Sequence, residues 1–363
     1  MTGTEGRPAP RHTLALTGHT AAERAFLDAW NSARIHHAWL LAGPRGIGKA
    51  TLAYRVARFV LARGAGAGLF DGPSQLAHDL TIPADHAITR QVASGGHPDL
   101  LTVERSVNPQ TGKLRGEIVV DDVRRLSSFL ALTTAAGAWR VVIVDAADDM
   151  NRNAANALLK GLEEPPASTL FLLVSHRPGL LLPTIRSRCR TLNLSGLSED
   201  RIVTLLADLA PDLPGTDATA IARLADGSIG RALALTDAGG LELYRELVAL
   251  LTQGAGLDIK AVHALAGRIG RAGADESFDM LGQLIDRWLS GMVLGSARGT
   301  MRPDVVKGEG AAALALRHRG NLANWLDVWE KVARLFSQAG SANLDRKQVV
   351  INAFLTLQAA ASG

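Results

Sequence analysis

Hydrophobic residues in the first half of the chain follow two alternating patterns. Residues 38–42, 140–145 and 169–174 are short, almost unbroken apolar runs, which predict strands covered on both faces, as in a parallel sheet. Residues 49–61 and 153–162 instead carry Ala, Val and Leu at helical spacing, and the second stretch stops at Pro165-Pro166. A further strand is predicted at 190–194. Strands and helices in this alternation predict a doubly wound α/β sheet.

Beyond residue 194 the strand pattern fades. Ser198 is placed to cap a helix reaching 209, a second helix is predicted over 217–225, and Gly227 and Gly230 interrupt before another short one. From about 241 onward every periodic stretch is helical, with long helices expected over 275–293 and 322–336. The expected organisation is a flexible N-terminus over 1–16, an α/β core over 17–195, a small helical domain over 196–240 and a C-terminal helical domain over 241–363. Within the core, the run from Arg63 to Gly68 reads as a flexible linker, opening an irregular insertion over about 64–98.

Composition narrows this picture. At 363 residues, 47% hydrophobic and 20% charged, the chain is long enough for two or three cores and is not of disordered composition. A net charge of +4 allows contact with nucleic acid but falls short of a dedicated basic surface. The single cysteine, Cys189, excludes an intrachain disulfide and a multi-cysteine zinc site, and it fits a reducing compartment. The first residues lack an apolar stretch of signal-peptide length, and no run is long enough to span a bilayer. The cytoplasm is the expected location.

The strongest local chemistry follows the first strand. Gly43-Pro44-Arg45-Gly46-Ile47-Gly48-Lys49 lies between a predicted strand and a predicted helix. In that context a glycine-rich loop turns backbone N–H groups toward a phosphate, and Lys49 would reach the terminal phosphates. The plain alternative is a tight turn that needs glycine only for its backbone. The motif departs from its full form at Ala50, where a Ser or Thr hydroxyl should support Mg²⁺. Thr51 follows, but one helical residue turns a side chain by about 100°, so it does not simply replace that oxygen. ATP or ADP binding is expected to be weakened rather than abolished.

A second departure lies at the end of the 140–145 strand. Asp145 is placed to support a metal, yet the neighbouring position, where many P-loop ATPases carry a water-orienting Glu, is Ala146. Alternatively Asp145 only caps the next turn. Asp148 and Asp149 lie past the strand and read as solvated residues or as caps of the helix beginning near Asn151. Loss of a hydroxyl and of a carboxylate in one site predicts severely impaired hydrolysis.

Several further segments carry a family resemblance: His36-His37-Ala38-Trp39, His97-Pro98-Asp99-Leu100, Asn156-Ala157-Leu158-Leu159-Lys160 running into Glu163-Glu164-Pro165-Pro166, and Ser187-Arg188-Cys189. Together they resemble the clamp-loader branch of the AAA+ proteins over roughly 17–231, and the helical last third matches only in length and character. The resemblance implies an AAA+ P-loop core, a helical lid over 196–240 and a helical collar over 241–363. It also implies a five-subunit ring with gamma or tau motor subunits and a delta subunit, loading a sliding clamp on primer-template DNA.

The resemblance further implies that Arg188 is an arginine finger for a neighbouring subunit's ATP site. A guanidinium suits that role because it is always charged and offers paired donors to a phosphoryl group. Without the resemblance, Arg188 reads with Arg186 and Arg190 as a solvated basic patch. Ser175 falls at the family's first-sensor position and Arg231 near the second, while each alone reads as a loop polar group or an exposed charge. Cys189 reads as a small apolar residue rather than a nucleophile. Relatives often insert a four-cysteine zinc module after the first helix. The corresponding stretch here has no cysteine, so no zinc is expected, and His78, His86 and His97 read as ordinary histidines.

These readings favour a ring subunit that is not itself a motor, needs no cofactor and contributes Arg188 in trans. The alternatives are an active ATPase of the gamma or tau kind, against which Ala50 and Ala146 argue, and a DNA-binding AAA+ helicase loader, which the modest charge does not favour.

Overall fold

A computed structural model describes residues 9–64, 76–132, 139–253, 256–271, 273–300, 302–319, 321–341 and 344–362. Compact packing divides the chain into two units, one of residues 1–198 with 227–230, the other of 199–226 with 231–363.

The first unit opens with α1 (Thr20–Asn31), which buries Ala22, Phe26, Leu27 and Ala29 along one face. Strand β1 (Ala38–Ala42) leads into α2 (Lys49–Gly64). Then come α3 (Ala87–Ser94), β2 (Leu100–Glu104), α4 (Val120–Ala131), β3 (Arg140–Asp145), α5 (Arg152–Glu163), β4 (Thr169–Ser175), α6 (Pro183–Arg186) and β5 (Arg190–Asn193). The sheet is parallel, in the order β2-β3-β4-β1-β5.

Its two faces have separate cores. Side chains alternate along a strand, so Trp39 and Leu41 join Val141, Ile143, Leu170 and Leu172 under α1 and α2, whereas Leu40 and Ala42 join Val142, Val144, Phe171 and Leu173 under α4 and α5. Because both faces are covered, these strands have no polar alternation, and that is why they read as continuous apolar runs. Each fully buried Leu, Val or Phe contributes on the order of 1.5–3 kcal/mol through removal from water.

Two sequence expectations change here. The described part of the irregular insertion contains α3, capped by His86, and it buries Ala77, Leu80 and Val92 in the core. The Gly-Ala linker lies largely outside the described residues, as do residues 1–8 of the expected flexible N-terminus. Residues 9–16 are tied down: Arg58, itself buried, donates to the carbonyls of Arg11 and Thr13 at 3.2 and 2.8 Å, and Arg55 donates to that of Leu14 at 2.9 Å.

The second unit is helical: α7 (Glu199–Leu209), α8 (Gly215–Leu224), α9 (Ile229–Asp237, whose first two residues belong to the first unit), α10 (Gly240–Thr252), α11 (Ile259–Ile269), α12 (Asp275–Arg298), α13 (Glu309–Arg317), α14 (Leu322–Ser341) and α15 (Arg346–Ser362). Buried Tyr244, Leu247, Leu284, Trp288, Trp325 and Phe354 line its interior. Arg287 is buried there too and pairs with Asp226 at 3.2 Å while donating to the carbonyl of Arg223 at 2.8 Å. Among the described residues no helix is long and apolar enough to cross a membrane.

Candidate nucleotide site and arginine finger

The loop after β1 is shaped by its own carbonyls. Gly43 has φ +154°, and a Cβ there would lie 2.2 Å from the Leu194 carbonyl oxygen, so only glycine fits between β1 and the end of β5. Nζ of Lys49 donates to the Gly43 carbonyl at 2.7 Å and to that of Pro44. The Gly46 carbonyl accepts from Gly230 N–H at 2.9 Å, and the Gly48 carbonyl from Leu52 N–H at 2.9 Å. His19, buried at the start of α1, donates through Nε2 to the Ile47 carbonyl at 2.6 Å. At Gly230 the approach is tight, since a Cβ would meet the Gly46 backbone at 3.0 Å. With these carbonyls turned inward onto donors, the loop keeps the shape of a phosphate cradle at the N-terminus of α2.

Lys49 is 3% exposed, and burial lowers its pKa to about 8 against the opposing pull of Asp148 and Asp145. Asp145, at the end of β3, is raised to about 6, first by burial and then by the nearby Glu104 and Asp149 carboxylates. Next to it Ala146 is 4% exposed and packs as an apolar residue. Ala50 packs partly buried against the core beneath α2, and Thr51 is half-buried. Positions 50 and 146 therefore supply no oxygen to a metal or a water. The residues present fit a phosphate better than they fit a metal-bound nucleotide.

Of the acids after β3, Asp148 overturns its sequence reading. Asp148 is neither solvated nor a helix cap: it accepts from Ser175 Oγ at 2.6 Å, from Arg177 N–H at 3.1 Å and from His176 N–H. It thus binds the end of β4 to the turn after β3. Asp149 pairs with Arg105 at 3.4 Å, and the cap of α5 is Asn151, which accepts from Ala154 N–H at 3.0 Å. Ser175, placed at the first-sensor position by resemblance, is fully buried, and its carbonyl also accepts from Gly43 N–H at 3.2 Å. Burial and the Lys49 charge lower His176 to about 4, so its ring is neutral.

Arg188 lies elsewhere. Strand β5 begins at Arg190, which registers with Trp39 near the start of β1, while Asn193 registers with Ala42 beside the loop. Arg188 precedes β5 and so belongs to the opposite end of the strands from Lys49, about 10 Å of strand away at least. It donates to the Thr184 carbonyl at 3.0 Å and pairs with Glu163 at 2.9 Å, with 35% of its side chain exposed. Cys189 beside it packs on the core, and burial pushes its thiol up to about 12, as an inert apolar residue requires. Arg231 belongs to the second unit, where it pairs with Asp226 at 3.6 Å and burial lowers its pKa. His86 and His97 have ordinary duties, capping α3 and accepting from Asp99 N–H at 3.1 Å. Among the described residues there is no group of three metal-ligating side chains.

A glycine loop after β1, an acid ending β3 and β4 inserted between those two strands define an α/β P-loop core of the AAA+ kind. Residues 18–198 match the family described as DNA polymerase III, delta subunit. The chain's resemblance is to the delta prime subunit: it is 38% identical to DNA polymerase III subunit delta' of Pseudomonas aeruginosa over 53% of this chain and 53% of that one. It is 28% identical to the tau subunit of Salmonella typhimurium over 63% of this chain and 33% of the relative. The chain thus spans about half the length, or less, of the curated relatives it matches. The crystal structure of a gamma subunit-related protein from Thermotoga maritima is 18% identical with a TM-score of 0.46, covering 93% of this chain and 99% of that one.

Proposed function

We propose that this chain is a non-motor subunit of a clamp loader, lending Arg188 to the ATP site of a neighbouring subunit. The observation that carries the reading is the placement of Arg188: partly exposed, and at the end of the strands away from its own loop. Ala50 and buried Ala146 support the companion statement that the chain has no ATPase activity of its own. Gly43, Gly46, Gly48 and Lys49 would hold the phosphates of a weakly bound ATP or ADP, with Ser175 and Arg231 as sensor residues. Neither bound nucleotide nor zinc is required for the subunit's role.

In this reading residues 196–240 act as a lid and 241–363 as a collar that assembles a five-subunit ring with gamma or tau and delta subunits in the cytoplasm. The ring places a sliding clamp on primer-template DNA. The rival reading, an active motor of the gamma or tau kind, draws on the 28% identity to tau. Two measurements separate them. The isolated chain should show no steady-state ATP turnover, and a rate like that of a motor subunit would establish the rival. In the reconstituted ring, Arg188→Ala should slow hydrolysis at the site it serves by about 10³-fold or more with assembly intact. Unchanged hydrolysis would remove Arg188 from the mechanism.

A further inference from the structure

Glu163 is the last residue of α5, where the carbonyl end of the helix disfavours a negative charge. Its carboxylate nevertheless lies 2.9 Å from Arg188, on a chain segment joined to α5 only through β4 and α6. The two elements that bring them together are firmly seated. Ile185 of α6 and Leu158 and Leu162 of α5 share one buried cluster beneath the sheet, with Cys189 packed against it. The Thr184 carbonyl takes a second Arg188 N–H at 3.0 Å. One guanidinium N–H is thereby committed to that carbonyl while Nη2 lies against the Glu163 carboxylate, so the group is restrained from two sides and keeps further N–H donors for a phosphoryl group.

We infer that Glu163 is a positioning residue: with the Thr184 carbonyl it holds the Arg188 guanidinium in the orientation in which it meets the nucleotide of the adjacent subunit. The inference rests on the reading of Arg188 as a finger acting in trans. An unrestrained arginine loses rotamer freedom on engaging its target, and a pinned one has already lost it. Both partners are substantially exposed, at 35% and 48%, so the pair adds little to stability. Glu163→Gln keeps the shape and removes a charge that the helix end disfavours. Its unfolding midpoint should therefore match or slightly exceed that of the native chain.

The test uses the reconstituted ring and single-turnover ATP hydrolysis at the served site with four proteins: native, Glu163→Gln, Arg188→Ala and the double variant. A loosened finger should lower kcat about 10-fold with KM for ATP unchanged, since misplacement acts on the transition state rather than on ground-state binding. The double variant should match Arg188→Ala alone, because Glu163 acts only through that arginine. Loss in Arg188→Ala with native rates in Glu163→Gln would overturn the positioning role and leave the finger standing. A Glu163→Gln loss that adds to that of Arg188→Ala, appears in KM instead of kcat, or turns into acceleration would overturn it as well. Native rates in Arg188→Ala would instead sink the finger reading on which it rests.

Discussion

The phosphate loop and the Arg188 segment lie at opposite ends of the strands of one sheet and use their polar groups in opposite directions. Around the loop, Lys49, Asp148, Ser175 and His19 are directed at backbone or at each other, and the site is a closed set of internal bonds. Around Arg188 the guanidinium is held at two points and otherwise presented outward. A P-loop stripped of its metal oxygen and second carboxylate can persist as architecture, because its charged groups also brace strand ends. A group that acts on a neighbouring subunit, as proposed for Arg188, cannot be braced in that way and still reach a partner.

That contrast can be broken most forcefully at Asp148. Asp148→Ala leaves the Ser175 hydroxyl and two backbone N–H groups without their acceptor, so a loss of about 3–5 kcal/mol is expected in urea unfolding. A loss below about 1 kcal/mol would mean that the loop region is not internally braced. Next in size is Gly43→Ala, which must push its methyl against the Leu194 carbonyl and adopt φ +154°, for an expected cost of about 2–4 kcal/mol. Native stability in that variant would show that the junction of β1 and β5 yields freely.

The smallest effect is the pH dependence of stability. Lys49 has a folded pKa of about 8, below its ordinary value of 10.5, so between those values the unfolded chain binds more protons and stability rises with pH. Asp145 behaves in the opposite sense: raised to about 6 from 3.8, it makes the folded chain bind more protons in that window, and stability falls as pH rises through it. Lys49→Met should flatten the alkaline slope and Asp145→Asn the acidic one, each by about 1–3 kcal/mol across its window. Slopes unchanged in both variants would show that these groups titrate alike in the folded and unfolded chain.

How much of this was legible follows from the range of the interactions involved. Strands β1, β3 and β4 were readable because burial on both faces leaves polar residues only at the ends of β3 and β4 and none in β1. Strand β2 was not, since at the sheet edge it carries Thr102 and Glu104 and is only partly buried. Helix α3 was hidden among loop-forming residues, its identity depending on the core contact of Val92 rather than on its own periodicity. In the site, Gly43 to Lys49, Asp145 and Arg188 could be found from local motifs. Asp148 could not, because its partners belong to the end of β4 and nothing in its neighbourhood announces them. His19 escaped notice for the same reason, and Gly230 was read only as a break between helices, each reaching the loop from a distant stretch of chain.

The bond from Gly230 to Gly46 gives the first unit a schedule as well as a shape. The sheet strands have all been synthesised once Asn193 is added, but the donor for the Gly46 carbonyl is made only after α7 and α8. The phosphate loop therefore gains this tether only after the next unit has begun to be made, and a chain ending between Asn193 and Gly230 carries every strand of the sheet without the donor for Gly46.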